Sequence, residues 1–425
     1  MGNFFQNLKN SSVFRNSTWI IVEKIVQMML SFFLTIVVAR YLGTSNYGIL
    51  NYSTSIITFF ACIVKLGFDS IIVKELIDNR DKENLILGTT IFFRFISSLI
   101  SILLIIALSF LYYDNNIMRL VIIIESFLLL FQAFSFIEYY FVSYLKSKYV
   151  SIAKMVAYLA MSIYKIIIIL LKLNVVYFAI CNVIDYLVLS LILFIFYKKD
   201  GNGLNINIKY GFSLLKKSYH FIFSDLIIIL YTQIDKVMIG NIMMQSDVGI
   251  YSAAVVIYML YEFIPEAIVT SFKSKLFDLK NKNYKNYIVN LKRLFALIFW
   301  MSILFSLAII LLSKFILNLL YGSSYSSALY PLIILSISLP FANIGIVRRI
   351  WMIEQEKQKY ITIISIWGVI INIVLNMIFI NKFGIVGASI ATLITEIFVN
   401  VIVPSFYKKT RPVFKLSLDG ILFKF

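Results

Sequence analysis

Apolar residues fill this chain in long runs separated by short polar turns. The first run, Trp19 to Ala39, reads WIIVEKIVQMMLSFFLTIVVA, and about 20 such residues carry one helix across a bilayer. The same pattern repeats to the end and predicts twelve spans: 17–39, 48–66, 85–111, 117–142, 152–171, 174–197, 219–241, 248–272, 294–313, 328–350, 360–380 and 384–407. Inside the spans, polar residues return at helical spacing, which gathers each set on one face. Lys24, Gln27, Ser31 and Thr35 form such a stripe in the first span. Asn51, Ser55, Thr58, Cys62 and Lys65 form the second, Thr90, Arg94, Ser97 and Ser101 the third, and Lys154, Tyr158, Ser162 and Lys165 another. Asp225, Thr232 and Lys236 share a face later, as do Ser389, Thr392 and Glu396, and Glu262 and Glu266 flank Pro265, where a helix should kink. Hydroxyls in such stripes are ordinary helix-to-helix contacts in membranes. Lys65 and Lys154, close to span ends, are expected to snorkel toward the interface.

Composition agrees with the pattern. The 425 residues are 61% hydrophobic, with mean hydropathy +0.90, far more apolar than a soluble domain requires. The fold class expected is an all-α polytopic membrane protein. No small-residue cleavage site follows the first run, so it reads as a retained helix. The net charge of +18 is topological. Lys and Arg crowd one set of loops, from Lys9 and Arg15 through Lys198, Lys199, Lys216, Lys217, Lys273, Lys275 and Arg293 to Lys408, Lys409 and Arg411. The opposite loops hold Arg40, Arg119, Lys172, Lys314 and Lys382. The positive-inside rule then puts both termini in the cytoplasm, and nucleic acid is not a partner the charge calls for. The expected organisation is a six-helix bundle over 1–197, a cytoplasmic amphipathic linker over 198–218, a second six-helix bundle over 219–407 and a basic cytoplasmic tail over 408–425. Cys62 and Cys181 lie in apolar runs without metal spacing, and His220 reads as an interfacial residue at a helix start.

The two halves repeat. Setting Gly48 over Gly249 aligns VVARYLGTSNYGILNYS with MIGNIMMQSDVGIYSAA, each a helix end, a polar turn, a glycine and a new helix. Both halves start on the same side, so they are parallel repeats of the kind that enclose a cleft and rock about it.

A charge at mid-membrane costs about 2.5 to 3.5 kcal/mol on insertion scales and so points to function. Lys24, Arg94, Lys165 and Lys236 are therefore the candidate substrate-binding cations of a central cavity, suited to an anionic head group such as a diphosphate. Glu23, Glu125, Asp185, Asp225 and Asp235 are candidate coupling-ion or charge-balancing acids. No metal-ligand cluster, nucleotide loop or nucleophile elbow is present, so neither an enzyme, a metal nor a cofactor is expected.

Ala39-Arg40-Tyr41-Leu42-Gly43 with Tyr47-Gly48, Asp235-Lys236-Val237-Met238-Ile239-Gly240 with Val248-Gly249-Ile250-Tyr251-Ser252, and Phe383-Gly384-Ile385-Val386-Gly387-Ala388-Ser389 carry a resemblance. The chain resembles the Wzx-type lipid-linked oligosaccharide flippases of polysaccharide biosynthesis, within the multidrug/oligosaccharidyl-lipid/polysaccharide exporter superfamily. The resemblance implies two six-helix bundles around a cationic cavity and alternating access. It implies translocation of undecaprenyl-diphosphate-linked repeat units across a bacterial inner membrane, for O-antigen or capsule. The implied partners are the polyprenyl-diphosphate-linked glycan, membrane lipids, and the polymerase and chain-length proteins of the same pathway. The alternatives are a cation-coupled multidrug exporter of the same fold, which the excess of central cations disfavours, and a membrane glycan polymerase or ligase, which the short external loops disfavour.

Overall fold

The computed structural model describes residues 12–201 and 203–425, and every regular element among the described residues is helical. Residues 1–11, Lys9 included, and position 202 lie outside the described residues, as do the side chains of Arg15 and Lys275.

Nine helices among the described residues are long and apolar enough to cross a membrane. Two of them are too long for a single crossing: Val22–Lys65 has 44 residues and Gln358–Phe406 has 49, against about 20 needed. Each is broken at a glycine with positive φ, Gly43 (φ 67°) and Gly384 (φ 60°), a conformation that side chains with a Cβ avoid. Each therefore carries two of the expected spans, joined by a turn. Helix Ile208–Ile242 covers the expected span 219–241 but falls outside the nine, and Asp225, Asp235 and Lys236 account for its lower apolar content. Every expected span thus has a helical counterpart among the described residues.

The chain divides into two compact units, Met1–Leu42 with Ile49–Ile229, and Gly43–Gly48 with Leu230–Phe425. In the first unit, Phe68, Ile72, Leu87, Phe136, Phe141 and Leu214 form one buried cluster. In the second, Tyr287, Leu291, Phe295, Trp351, Met352 and Val413 form another. Both clusters sit toward the helix ends that carry the basic loops. There water drives apolar packing, whereas in lipid the tails are as apolar as the side chains and give no such drive. Further along the helices, large side chains such as Leu170 and Leu311 (82% exposed) face outward, as lipid contact requires.

Within the first unit, the stretch after Lys199 is tied down. The Asn205 N–H donates to Asn84 O (3.0 Å) and the Asn207 N–H to Thr89 Oγ1 (2.9 Å). The Ser218 hydroxyl donates to Leu66 O (2.8 Å), and Lys217 pairs with Glu75. In the second unit, helix Arg411–Ile421 lies against helix Tyr284–Leu320, fixed by the Lys292–Asp419 ion pair (2.9 Å) and by the Trp300 indole N–H on Ile421 O (3.1 Å).

The two glycines aligned by the internal repeat meet in the second unit. A Cβ on Gly48 would lie 1.6 Å from Gln245 O, and one on Gly249 would lie 2.1 Å from Thr44 O. Gln245 follows Thr44 by the same interval that separates Gly249 from Gly48, so the contact is reciprocal. No residue larger than glycine fits either side of it without moving backbone.

Candidate functional site

The first unit encloses a cavity of about 290 Å³. Its charged lining comes from Lys65 at the end of helix Ser12–Lys65, Asp69 in the turn after it, Arg94 of helix Glu83–Tyr112, Glu138, Lys154 of helix Ser147–Leu170, and Asp185 of helix Val175–Asp200. Arg94 is 2% exposed. Its guanidinium donates to Asp69 Oδ1 at 2.9 Å and lies 4.5 Å over the Phe136 ring, while its buried Nε has no hydrogen-bond partner. Lys65 reaches the other Asp69 oxygen at 3.5 Å, and Lys154 pairs with Glu138 at 2.7 Å. The ion pairs compensate these charges, since a lone buried charge would cost several kcal/mol (roughly 3–5 on removing its partner). A narrow cleft beside the cavity is lined by Glu23, Gln27, Lys154 and Tyr158.

Two sequence expectations change here. Lys65 and Lys154, read as interface anchors, both line the cavity and engage carboxylates there. They lie on the predicted stripes, and only their nearness to span ends points outward. Among the named cations, Arg94 alone lines this cavity. Lys24 is exposed beside a buried Glu23, Lys165 is half-buried nearby, and Lys236 belongs to the second unit. The lining pairs the cations Lys65, Arg94 and Lys154 with the acids Asp69, Glu138 and Asp185. The lining of this unit's cavity is charge-balanced.

Deeper in the same unit, Glu125 is 1% exposed. Its Oε1 accepts from the Asn182 amide at 2.8 Å, and Thr54 Oγ1 lies 3.2 Å from both carboxyl oxygens. Lys165 is the positive charge that acts on both Glu125 and Asp185. Asp225 is half-buried on helix Ile208–Ile242.

The second unit treats its acids differently. Asp235 Oδ1 accepts from Asn376 Nδ2 (2.7 Å), and Oδ2 accepts from the Tyr251 hydroxyl (2.8 Å) and the Thr392 hydroxyl (2.8 Å). Asn376 Nδ2 also reaches Asn372 Oδ1 (3.0 Å), and the buried Asn376 Oδ1 has no hydrogen-bond partner. Glu396, 7% exposed, accepts from Tyr231 (2.6 Å) and Asn400 (2.5 Å) where the last span passes into a π-helical turn, Phe398–Ile402. Arg348 donates to Val399 O (2.6 Å) in that turn. The cluster thus gathers one carboxylate, two hydroxyls and two carboxamides, and every group that donates to the acid is neutral. Among the described residues no group of three or more His, Cys, Asp or Glu side chains is placed to hold a metal. Asn372 and Asn376 are not among the residues that the sequence singles out; their signal is two asparagines one turn apart in the apolar run IINIVLNMIFI.

The family described as polysaccharide biosynthesis protein matches residues 13–273, and the one described as MatE matches 221–378. A probable low-salt glycan biosynthesis flippase, Agl15 of Haloferax volcanii, is 27% identical over 166 residues, which is 38% of this chain and 34% of that protein. The match thus spans about a third of the relative's length. Among solved structures, the lipid II flippase MurJ in an inward closed conformation superposes with a TM-score of 0.75 at 17% identity, covering 94% of this chain and 90% of that one. An inward-facing multidrug resistance MATE family transporter of the MOP superfamily gives 0.69 at 15% identity, covering 93% of each. At these identities the likeness is one of fold.

Proposed function

We propose that this chain, which belongs to the polysaccharide biosynthesis protein family, is a flippase for lipid-linked oligosaccharides. It carries polyprenyl-diphosphate-linked repeat units from the cytoplasmic to the outer leaflet by alternating access, for surface polysaccharide such as O-antigen or capsule. The observation that carries this reading is the buried Arg94, opening with Lys65 and Lys154 on a polar cavity inside helices long enough to cross a membrane. Three cations around one water-accessible space can hold a diphosphate through charge-assisted hydrogen bonds. Because Asp69 and Glu138 already occupy them, an incoming diphosphate exchanges one anion for another, and binding stays reversible. That suits a carrier, which must release what it binds. Asp235, in its cage of neutral donors, is the acid proposed to bind the coupling cation or proton. The pairing of substrate charge in one unit with a coupling site in the other gives each ligand its own site to bias, as reciprocal coupling requires.

A second reading is a cation-coupled exporter of organic cations. The balanced charge of the cavity and the match to the MatE family over 221–378 favour it. Deletion of the gene, with glycan assembly left running, separates the two. The flippase reading expects single polyprenyl-linked repeat units trapped on the cytoplasmic leaflet and loss of surface glycan. Normal surface glycan with increased sensitivity to cationic compounds supports the exporter instead. Single units that reach the outer leaflet and fail to polymerise contradict both.

A further inference from the structure

Glu125 is buried and Asp235 half-buried, and both carboxyl groups are held by neutral side chains, yet their hydrogens are distributed differently. A threonine hydroxyl owns one hydrogen to donate. At Asp235, Thr392 Oγ1 lies 2.8 Å from the carboxylate and 3.1 Å from Ala388 O, so its hydrogen goes to the acid, which also receives one from Tyr251 and one from Asn376. That acid is built to be held as an anion. At Glu125, Thr54 Oγ1 lies 2.8 Å from Leu50 O and 3.2 Å from the carboxyl oxygens. The shorter contact assigns its hydrogen to the helix backbone, the usual bond of a threonine to the carbonyl one turn earlier. One hydrogen donor, Asn182, then remains for the carboxyl group. The Thr54–Glu125 contact lacks a hydrogen unless the carboxyl group brings its own.

We propose that Glu125 carries a proton, donated from the carboxyl O–H to Thr54 Oγ1, and that it is a proton-coupling site of the first unit. The protonated form satisfies every partner: the hydroxyl of the acid gives to Thr54, Thr54 gives to Leu50 O, and the acid's carbonyl oxygen accepts from Asn182. It also removes a charge from a residue 1% exposed with no ion pair within 4.0 Å among the described residues, where an uncompensated carboxylate is costly.

The surroundings specify how the proton leaves. Glu125 lies on helix Asn116–Ser126, which packs against helices Glu83–Tyr112, Leu128–Phe134 and Val175–Asp200 and meets helix Ser12–Lys65 at Thr54; of the nearer charges on that helix, Lys65 is held by Asp69 and Arg40 is exposed. The charges of Glu83–Tyr112 are engaged elsewhere, Glu83 by Tyr144 and Arg94 by Asp69, and Leu128–Phe134 carries none. Val175–Asp200 brings Asp185, which lines the cavity, while its terminal Lys198, Lys199 and Asp200 lie more than three turns from Asn182 along the helix. Arg119, on the helix of Glu125 itself, is held by Tyr113 O at 2.7 Å. Lys165 is the cation that acts on Glu125. When Thr54 and Asn182 separate from Glu125, the carboxyl O–H breaks, its proton passes to water entering the site, and the carboxylate left behind is stabilised by the Lys165 ammonium. Asp185, which also feels Lys165, competes for that stabilisation.

The coupling role rests on the transporter reading above; the bound proton does not. Infrared difference spectra of the purified full chain in lipid nanodiscs test the proton without any substrate. The expected result is a protonated-carboxyl C=O band at neutral pH that is lost in Glu125→Gln and retained in Asp235→Asn. An E125Q spectrum with undiminished protonated-carboxyl intensity overturns the proposal. Should E125Q fail to fold, Thr54→Val serves: it removes the acceptor of the carboxyl O–H, so the band must move, and an unmoved band overturns the assignment. Vesicles holding a fluorescent polyprenyl-diphosphate glycan then test the coupling. Wild-type translocation that varies with pH, and E125Q or T54V translocation that does not, supports it; an unaltered pH profile in both variants overturns it. If wild-type protein moves no glycan, the transport reading falls while the infrared assignment stands or fails by its own band.

Discussion

Asp69 and Asp235 are partly shielded aspartates, one in each unit, and their partners could hardly differ more. Asp69 sits between two cations, Arg94 at 2.9 Å and Lys65 at 3.5 Å, on the wall of a cavity. Asp235 is surrounded by two hydroxyls and an amide at 2.7–2.8 Å. An acid locked to a permanent guanidinium charge cannot take up a cation or proton without abandoning that partner, and the guanidinium cannot be neutralised in its place. An acid held by neutral donors can, because those donors rotate or become co-ligands. Under the proposed function, the first unit exchanges anions and the second cations or protons. Glu125 departs from the pattern of Asp69: among the described residues no cation lies within ion-pair distance of it, and it is poised to be neutral.

The contrast can be broken most severely at Arg94. Arg94→Ala removes a buried guanidinium and leaves Asp69 on the cavity wall with only Lys65, and is expected to cost about 3–5 kcal/mol. Unfolding of the purified protein in detergent measures this, and Asp69→Asn in the same chain should recover much of the loss. If the double variant is no more stable than R94A, the ion pair is not what holds this wall. Next in size is Asp235→Ala, which strands the hydroxyls of Tyr251 and Thr392 and the amide of Asn376 and should cost roughly 1–3 kcal/mol. Asp235→Asn should be milder in stability and equal in its loss of ion-dependent translocation; an isosteric amide that keeps the ion dependence would remove Asp235 from the coupling site. Thr392→Val takes one donor from the same acid, with an expected cost of about 1 kcal/mol and a weaker apparent affinity for the coupling ion, read as a rightward shift of the translocation-against-ion curve. The smallest effect belongs to Lys24→Ala. Lys24 is exposed, so its loss should leave the unfolding midpoint unchanged, and a clear destabilisation would mean that it has a partner in the folded protein.

Much of the architecture is legible in the amino-acid sequence alone. Apolar run length marks each span, because a helix in lipid must be apolar over its whole crossing. The same run lengths place turns between spans at 40–47 and 381–383, and the positive φ at Gly43 and at Gly384, one residue past the second, explains why glycine stands there. The stripes are legible too, since helical spacing alone places Lys65 with Cys62 and Lys154 with Tyr158. Run length does not give how deep a stripe residue points, so Lys65 and Lys154 read as interface anchors by sequence. Asp69 escapes a reading by spans because it lies outside them, in the turn after Lys65, and reaches Arg94 only through tertiary packing across 25 residues. Glu125 and Asp235 are visible as intramembrane acids. That one is caged by Thr54 and Asn182 and the other by Tyr251, Asn376 and Thr392 depends on helix neighbours that periodicity does not identify. The four candidate cations share depth alone, and depth does not say which helices face one another.

The most direct test of the transport claim uses the purified chain in sealed vesicles loaded with a fluorescent polyprenyl-diphosphate oligosaccharide in both leaflets. A membrane-impermeant quencher added outside reports the fraction that becomes accessible with time. Protein-free vesicles should lose about half of the signal, since uncatalysed movement of such a polar head group across hydrocarbon is prohibitive. With the chain present the loss should proceed well beyond half, and should slow when Asp235 is replaced by Asn. Folded wild-type protein that leaves the quenched fraction at half would contradict the account.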